Sequence, residues 1–269
     1  MEKIKQAVDR AQRERQHIVG GGPSEKPLEP DAFEPPAHVE FSKTSRVELN
    51  PKVLKRNRIL TGSEHNELSH AYNALRTQVL QRLRDNDWKS LIVTSAGEHA
   101  GKTVTAINLA VSLARDVNHT VLLVDFDLRR PSVHRYLGFE PRAGVSDYLE
   151  GEAEIGELLV TPGVPRLTVL PGHKSIAHSA EMLSSPRMVR LIKELKSRYR
   201  ERIILIDMPP LLMTDDVLAF SPHVDAALLV VEAGKTPKDE ITRSIEMLGR
   251  TNLLGTVLNK SRSGGRAYY

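Results

Sequence analysis

Ile92-Val-Thr-Ser-Ala-Gly-Glu-His-Ala-Gly-Lys-Thr103 and Val121-Leu-Leu-Val-Asp-Phe-Asp-Leu-Arg-Arg-Pro131 decide the fold of this chain. In the first stretch an apolar strand runs into a short loop ending Gly101-Lys102-Thr103, and then into a helix. In the second a buried strand ends on two carboxylates and two guanidiniums. A loop whose backbone N–H groups open a helix is a ready phosphate site, to which a lysine and a hydroxyl add charge and a metal ligand. Together the two segments predict nucleotide chemistry at one edge of a sheet.

Outward from these stretches the chain alternates. Helical periodicity covers Glu64 to Arg84, with Leu68, Ala71, Tyr72, Leu75, Val79 and Leu83 on one stripe and Arg76, Arg82 and Arg84 away from it. Strands are expected at Ser90–Ser95, Thr120–Asp125, Leu167–Leu170, Arg202–Asp207, Ala226–Val231 and Leu254–Leu258. Helices are expected at Lys102–Arg115, Pro186–Tyr199 and Pro237–Arg250. Buried runs rich in Val, Ile and Leu, separated by amphipathic helices, predict an α/β fold with a mostly parallel sheet and helices on both faces. In such sheets ligands sit at the carboxyl ends of the strands.

The flanks read differently. Residues 1–17 predict a short amphipathic helix with Ile4, Val8 and Ala11 on one face, suited to a partner or a membrane surface. Residues 18–63, with Gly20-Gly-Gly-Pro23, Pro27, Pro30, Pro35-Pro36 and Pro51, predict an extended linker with a strand fragment near Val47. The folded domain is expected over 64–262. A mobile tail follows over 263–269, where Gly264-Gly265 precedes two terminal tyrosines.

Composition narrows the chemistry. With 40% hydrophobic residues in 269 the chain has material for a core, and with no cysteine it has no disulfide, thiol nucleophile or thiolate metal site. That suits a reducing compartment such as the cytoplasm. Apolar runs fall well short of the roughly 18 residues of a spanning helix, and the N-terminus lacks the pattern of a signal peptide. The formal charge of +4 is spread along the chain, which argues against specific nucleic-acid binding.

Within the loop, backbone amides of Gly97, Glu98, His99, Ala100 and Gly101 are expected to cradle phosphates, with Val104 just inside the helix. Lys102 reaches the β/γ oxygens and Thr103 ligates Mg²⁺. Asp207 ends the strand Arg202-Ile-Ile-Leu-Ile-Asp207 before Met208-Pro-Pro210, which has the form of a Walker B segment. Asp125 and Asp127 leave their strand on the same side and can share one cation or one proton. Arg129 and Arg130 offer charge to phosphate oxygens or to an adjoining subunit.

With these residues in view, the chain resembles the bacterial tyrosine kinases, cytoplasmic autokinases of exopolysaccharide and capsule assembly, in the soluble form that works beside a separate membrane polysaccharide co-polymerase. The resemblance runs from about Glu64 to Tyr269 and rests on the Asp-x-Asp-x-Arg segment Val121–Arg129, on Ala96–Thr103, on Ile203–Asp207 with Pro209-Pro210, and on the terminal tyrosines. The N-terminal helix and Pro-rich linker are similar to the subgroup of exosortase-linked loci. The resemblance implies a P-loop NTPase architecture of the MinD and ParA type. It also implies phosphorylation of tyrosine by ATP and Mg²⁺, mainly on the tails of neighbouring copies.

Carried onto matching positions, the family's roles give Lys102, Asp125, Asp127 and Asp207 to catalysis, and Thr103, Asp125 and Asp207 to the metal. Tyr268 and Tyr269 become the phosphoacceptors, and Asn259 sits where related ATPases read adenine. The implied partners are a Wzz-like chain-length determinant through its cytoplasmic segment, further copies of the chain, and a phosphotyrosine phosphatase. The implied location is peripheral, at the inner face of the membrane.

Three departures stand out. The loop has Gly97-Glu-His-Ala-Gly101 where many members have Pro-Gly-Glu-Gly, and the tail carries few tyrosines. His70-Ala-Tyr-Asn-Ala-Leu-Arg76 keeps only the last arginine of a Glu-x-x-Arg-x-x-Arg ring motif, which speaks against octameric rings. A partitioning or positioning ATPase of the ParA or MinD type shares the sheet and aspartates, but usually has a second lysine where Gly97 stands. A nucleotide-binding scaffold without turnover is the remaining alternative.

Overall fold

The computed structural model describes residues 45–61, 64–197 and 201–261. The expected helix 1–17, the linker as far as residue 44, and the tail with Tyr268 and Tyr269 lie outside them. Among the described residues eight strands form one sheet: β1 (Ser45–Arg46), β2 (Ser90–Ser95), β3 (Thr120–Asp125), β4 (Val160–Thr161), β5 (Leu167–Leu170), β6 (Arg202–Asp207), β7 (Ala226–Glu232) and β8 (Asn252–Asn259). Their order is β1-β4-β5-β3-β6-β2-β7-β8. The six strands that run in space from β5 across to β8 pair in parallel, and β4 joins β5 antiparallel.

The alternation of side chains along each strand builds two cores. Leu91 and Val93 of β2 lie in one with Val121 and Leu123 of β3, while Ile92 lies in the other with Leu122, Val124 and Ile206. Each side is covered by helices, so the central strands are buried along both faces and read as continuous apolar runs. On the first side lie α1 (Pro51–Arg56), α2 (Glu67–Asp85), α3 (Lys102–Leu113) and α4 (Val133–Leu137). On the second lie α5 (Val145–Glu150), α6 (Ile155–Leu158), α7 (Ser179–Leu183), α8 (Pro186–Ser197) and α9 (Asp216–Phe220). The helix α10 (Lys238–Met247) leads from β7 to β8.

Residues 45–61, assigned above to the linker, are structured. The side chain of Asn50 caps α1 by accepting from Lys52 N at 3.0 Å, and Pro51 occupies the first turn, where its missing N–H costs nothing. Leu54, Ile59 and Leu60 are buried in the core. The segment is tied down by Asn108 of α3, which accepts from Leu60 N at 2.8 Å and donates to Arg58 O at 2.9 Å. Proline there marks a helix start, not a linker.

α2 begins at Glu67, after a capping box between Asn66 and Ser69. Its predicted stripe is shifted: Tyr72, Val79, Leu80 and Leu83 are buried, whereas Leu68 is exposed. Arg76 and Arg82, expected to point away, fold back onto backbone carbonyls of Ser112 at 3.3 Å and Leu254 at 2.5 Å. Their long stems can cover apolar surface while the guanidinium satisfies an acceptor.

If α1 belongs to the folded unit, Leu54→Ala will lower the unfolding free energy in urea by about 2–4 kcal/mol. A linker residue would change it by less than about 0.5 kcal/mol.

Candidate active site

Three parallel strands deliver the site. β2 runs into the loop 96–101 and the N-terminus of α3, and the neighbouring ends of β6 and β3 place Asp207 opposite Asp125 in register. The turn after β6 is held against β2 and the loop by Thr94 Oγ1 donating to Pro209 O at 2.7 Å, Leu211 N to Ser95 O at 2.8 Å and Leu212 N to Ala96 O at 3.1 Å. These bonds fix the acidic strand ends relative to the phosphate loop.

Lys102 Nζ lies 2.8 Å from Asp127 Oδ2 and 3.4 Å from Asp207 Oδ1. Thr103 Oγ1 donates to Asp207 Oδ2 at 2.7 Å. Asp125 is fully buried and taken up by main chain: its Oδ2 accepts from Ser132 N at 2.8 Å and Val133 N at 2.9 Å, and its Oδ1 from Asp127 N at 3.3 Å. Asp127 accepts from Arg130 N at 3.1 Å and lines the open cleft. The two aspartates, paired by sequence spacing, thus differ: Asp125 shapes the turn and Asp127 faces the lysine.

Electrostatics follow from this crowding. Burial and the adjacent Asp207 carboxylate push Asp125 up to about 7, against the amides of Val133 and Ser132 and the Lys102 charge. Burial also raises Asp207, with Lys102 and the Thr103 hydroxyl opposing it. For Lys102 burial works against the ammonium, but the charges of Asp207 and Asp127 prevail and hold its pKa above the usual lysine value.

The loop itself fits phosphate. Gly101 is left-handed at φ +92°, and a Cβ there would run into the amide of Asn259. Among the described residues, the amides of His99, Ala100 and Gly101 donate to no protein acceptor, as expected of groups that await an anion. Glu98, His99 and Gly101 of the loop, with Lys102, Thr103, Val104 and Asp127, line a cleft of about 680 Å³.

Among the described residues no group of three His, Asp or Glu side chains could hold a metal alone. Mg²⁺ keeps several waters and leans on phosphate oxygens, so hard oxygens from Thr103 and the strand-end carboxylates suit it.

Other placements refine the expectations. Arg130 Nη1 pairs with Glu98 at 2.6 Å, joining the loop to the β3 turn. Arg129 turns to Asp216 at 3.4 Å and Asp215 at 3.9 Å. Asn259 Nδ2 donates to Ala100 O at 2.8 Å and its Oδ1 accepts from Lys260 N at 2.9 Å, which leaves one N–H and one lone pair of the amide for a base. Sequence reasoning missed Arg56 and Asn57 of the α1 end, Arg135 and Tyr136 of α4, and Lys260, all on the cleft wall. The Asn50-Pro51 start would have revealed α1; nothing local marks the others.

A family model described as an AAA domain matches residues 92–236. Tyrosine-protein kinase YwqD of Bacillus subtilis is 31% identical over 203 residues, spanning 75% of this chain and 84% of that protein. The chain belongs to the bacterial tyrosine kinases. The kinase domain of Escherichia coli tyrosine kinase ETK matches with a TM-score of 0.67 at 25% identity, over 80% of this chain and 88% of that domain. Succinoglycan biosynthesis transport protein ExoP of Rhizobium meliloti is 29% identical over 83% of this chain, but that stretch is only 29% of its own length.

Stability should depend on pH with a definite sign. An aspartate raised in the folded state stabilises fully below its unfolded pKa of about 4, and that stability is lost as pH rises through about 7. Buried His134 and half-buried His223, both lowered by desolvation, act in the opposite sense, so the difference between proteins is the readout. In metal-free buffer, the unfolding free energy of Asp125→Asn relative to the unaltered protein should rise between about pH 4 and 7 and level off above that.

Proposed function

We propose that the protein is an ATP-dependent tyrosine autokinase that modifies Tyr268 and Tyr269 on neighbouring copies. The observation that carries this reading is the convergence of Lys102, Thr103, Asp127 and Asp207 at the N-terminus of α3. There Lys102 and the loop amides bind the triphosphate, leaving Asp127 as the carboxylate nearest an incoming hydroxyl. The tyrosine oxygen bonds to the γ-phosphorus as the bond to the β,γ-bridging oxygen breaks; the phenolic proton passes to Asp127 and ADP leaves. Thr103, Asp207 and Asp125 are the residues assigned to Mg²⁺, which when bound neutralises phosphate charge.

Family membership supports a role in exopolysaccharide chain length and export, beside a Wzz-like co-polymerase whose cytoplasmic segment would recruit the kinase to the inner face of the membrane. Among the described residues no helix is long and apolar enough to cross a membrane. A phosphotyrosine phosphatase would reset the tail. Transfer between copies requires one tail to be held in line with another copy's nucleotide, which makes proximity the controlling factor.

Mass spectrometry of the tail after incubation with Mg²⁺-ATP and the partner's cytoplasmic segment tests this. Phosphate on Tyr268 or Tyr269, absent in Lys102→Met and falling per enzyme on dilution, is the expected result. ATP hydrolysis without phosphotyrosine would instead favour a positioning ATPase, and binding without turnover a scaffold.

A further inference from the structure

His99 is left-handed at φ +62° in a loop where a glycine would adopt that conformation without steric cost. Its side chain is 89% exposed and does little to hold the backbone there. The backbone is held from outside. Lys260 Nζ donates to His99 O at 2.5 Å, and the next carbonyl along, Ala100 O, is the one that Asn259 engages. Lys260 is in turn seated by Glu232 Oε2 at 3.1 Å, at the end of β7, and its own amide donates to Asn259 Oδ1 at 2.9 Å. Glu232 is 7% exposed and is also paired with Lys235 at 2.9 Å.

A trans peptide is planar, so its C=O and N–H point in opposite directions. Holding the His99 and Ala100 carbonyls toward the end of β8 therefore turns the amides of Ala100 and Gly101 the other way, and these are among the amides without a protein acceptor. We propose that Lys260, seated by Glu232, is a positioning residue for nucleotide binding: it holds the left-handed His99 peptide so that the loop amides present themselves to phosphate without the usual glycines. The inference rests on reading loop 97–101 as the ATP phosphate site. Lys260 also lines the cleft, so the competing role is a direct charge on the nucleotide.

Calorimetric titration of the full chain with Mg²⁺ and a non-hydrolysable ATP analogue separates these roles. Lys260→Met should weaken binding about tenfold, the worth of a charge-assisted hydrogen bond. Glu232→Gln should weaken it less. In a His99→Gly background the Lys260→Met loss should shrink below about threefold, because glycine takes the left-handed conformation unaided. The loss should also vary little with salt, and kinase assays should show it in KM with kcat nearly unchanged. An equal loss in both backgrounds, a loss that salt abolishes, or no loss would overturn the inference. Failure of the unaltered protein to bind the analogue would overturn the phosphate-site reading itself, and the inference with it.

Discussion

Three carboxylates at the ends of two adjacent strands surround one ammonium, and the rest of the site is arranged around that crowding. Asp125 and Asp207 face each other in register, both fully buried, a placement that would be prohibitive for two bare charges. Main-chain amides hold the first, the Thr103 hydroxyl and Lys102 hold the second, and Asp127 completes the lysine's partners. Removing any one of these groups leaves a buried charge short of a partner, which costs more than the contact itself is worth. The same excess of negative charge is what a divalent cation and a lysine that follows phosphate oxygens would relieve.

The scaffold serves this cluster by fixing strand ends. β2, β3 and β6 are central in the sheet and buried on both faces, so their carboxyl ends cannot drift relative to one another. The α1 segment extends that rigidity outward. Asn57 donates to Tyr136 O at 2.9 Å, so the chain entering the domain braces α4, whose first residues supply the amides on Asp125. A glycine at 138 is required where Val53 packs against a left-handed turn. The entering segment is thus physically joined to the acidic cluster through one short helix.

The central strands and α3 were legible because burial on both faces leaves an unbroken apolar signature, and because Gly101-Lys102-Thr103 and the strand-end aspartates mark their own positions. The short helices α4 to α7 and α9 were not, since four to six residues span too few turns to show a period. Pro51 has the look of a breaker, but after Asn50 it begins a helix. Arg76 and Arg82 misled because their charge suggested solvent, whereas their targets are carbonyls remote in sequence. The different engagements of Asp125 and Asp127, and the bond from Lys260 to the loop, depend on such long-range partners and could emerge only from the folded chain.

If nucleotide and cation meet at this one cluster, their binding must be coupled through Asp207. Isothermal titration with ADP, with and without Mg²⁺, for the unaltered protein and for Asp207→Asn measures that coupling. Mg²⁺ is expected to strengthen ADP binding severalfold in the unaltered protein and to add almost nothing in the variant. Equal strengthening in both proteins would contradict a shared site.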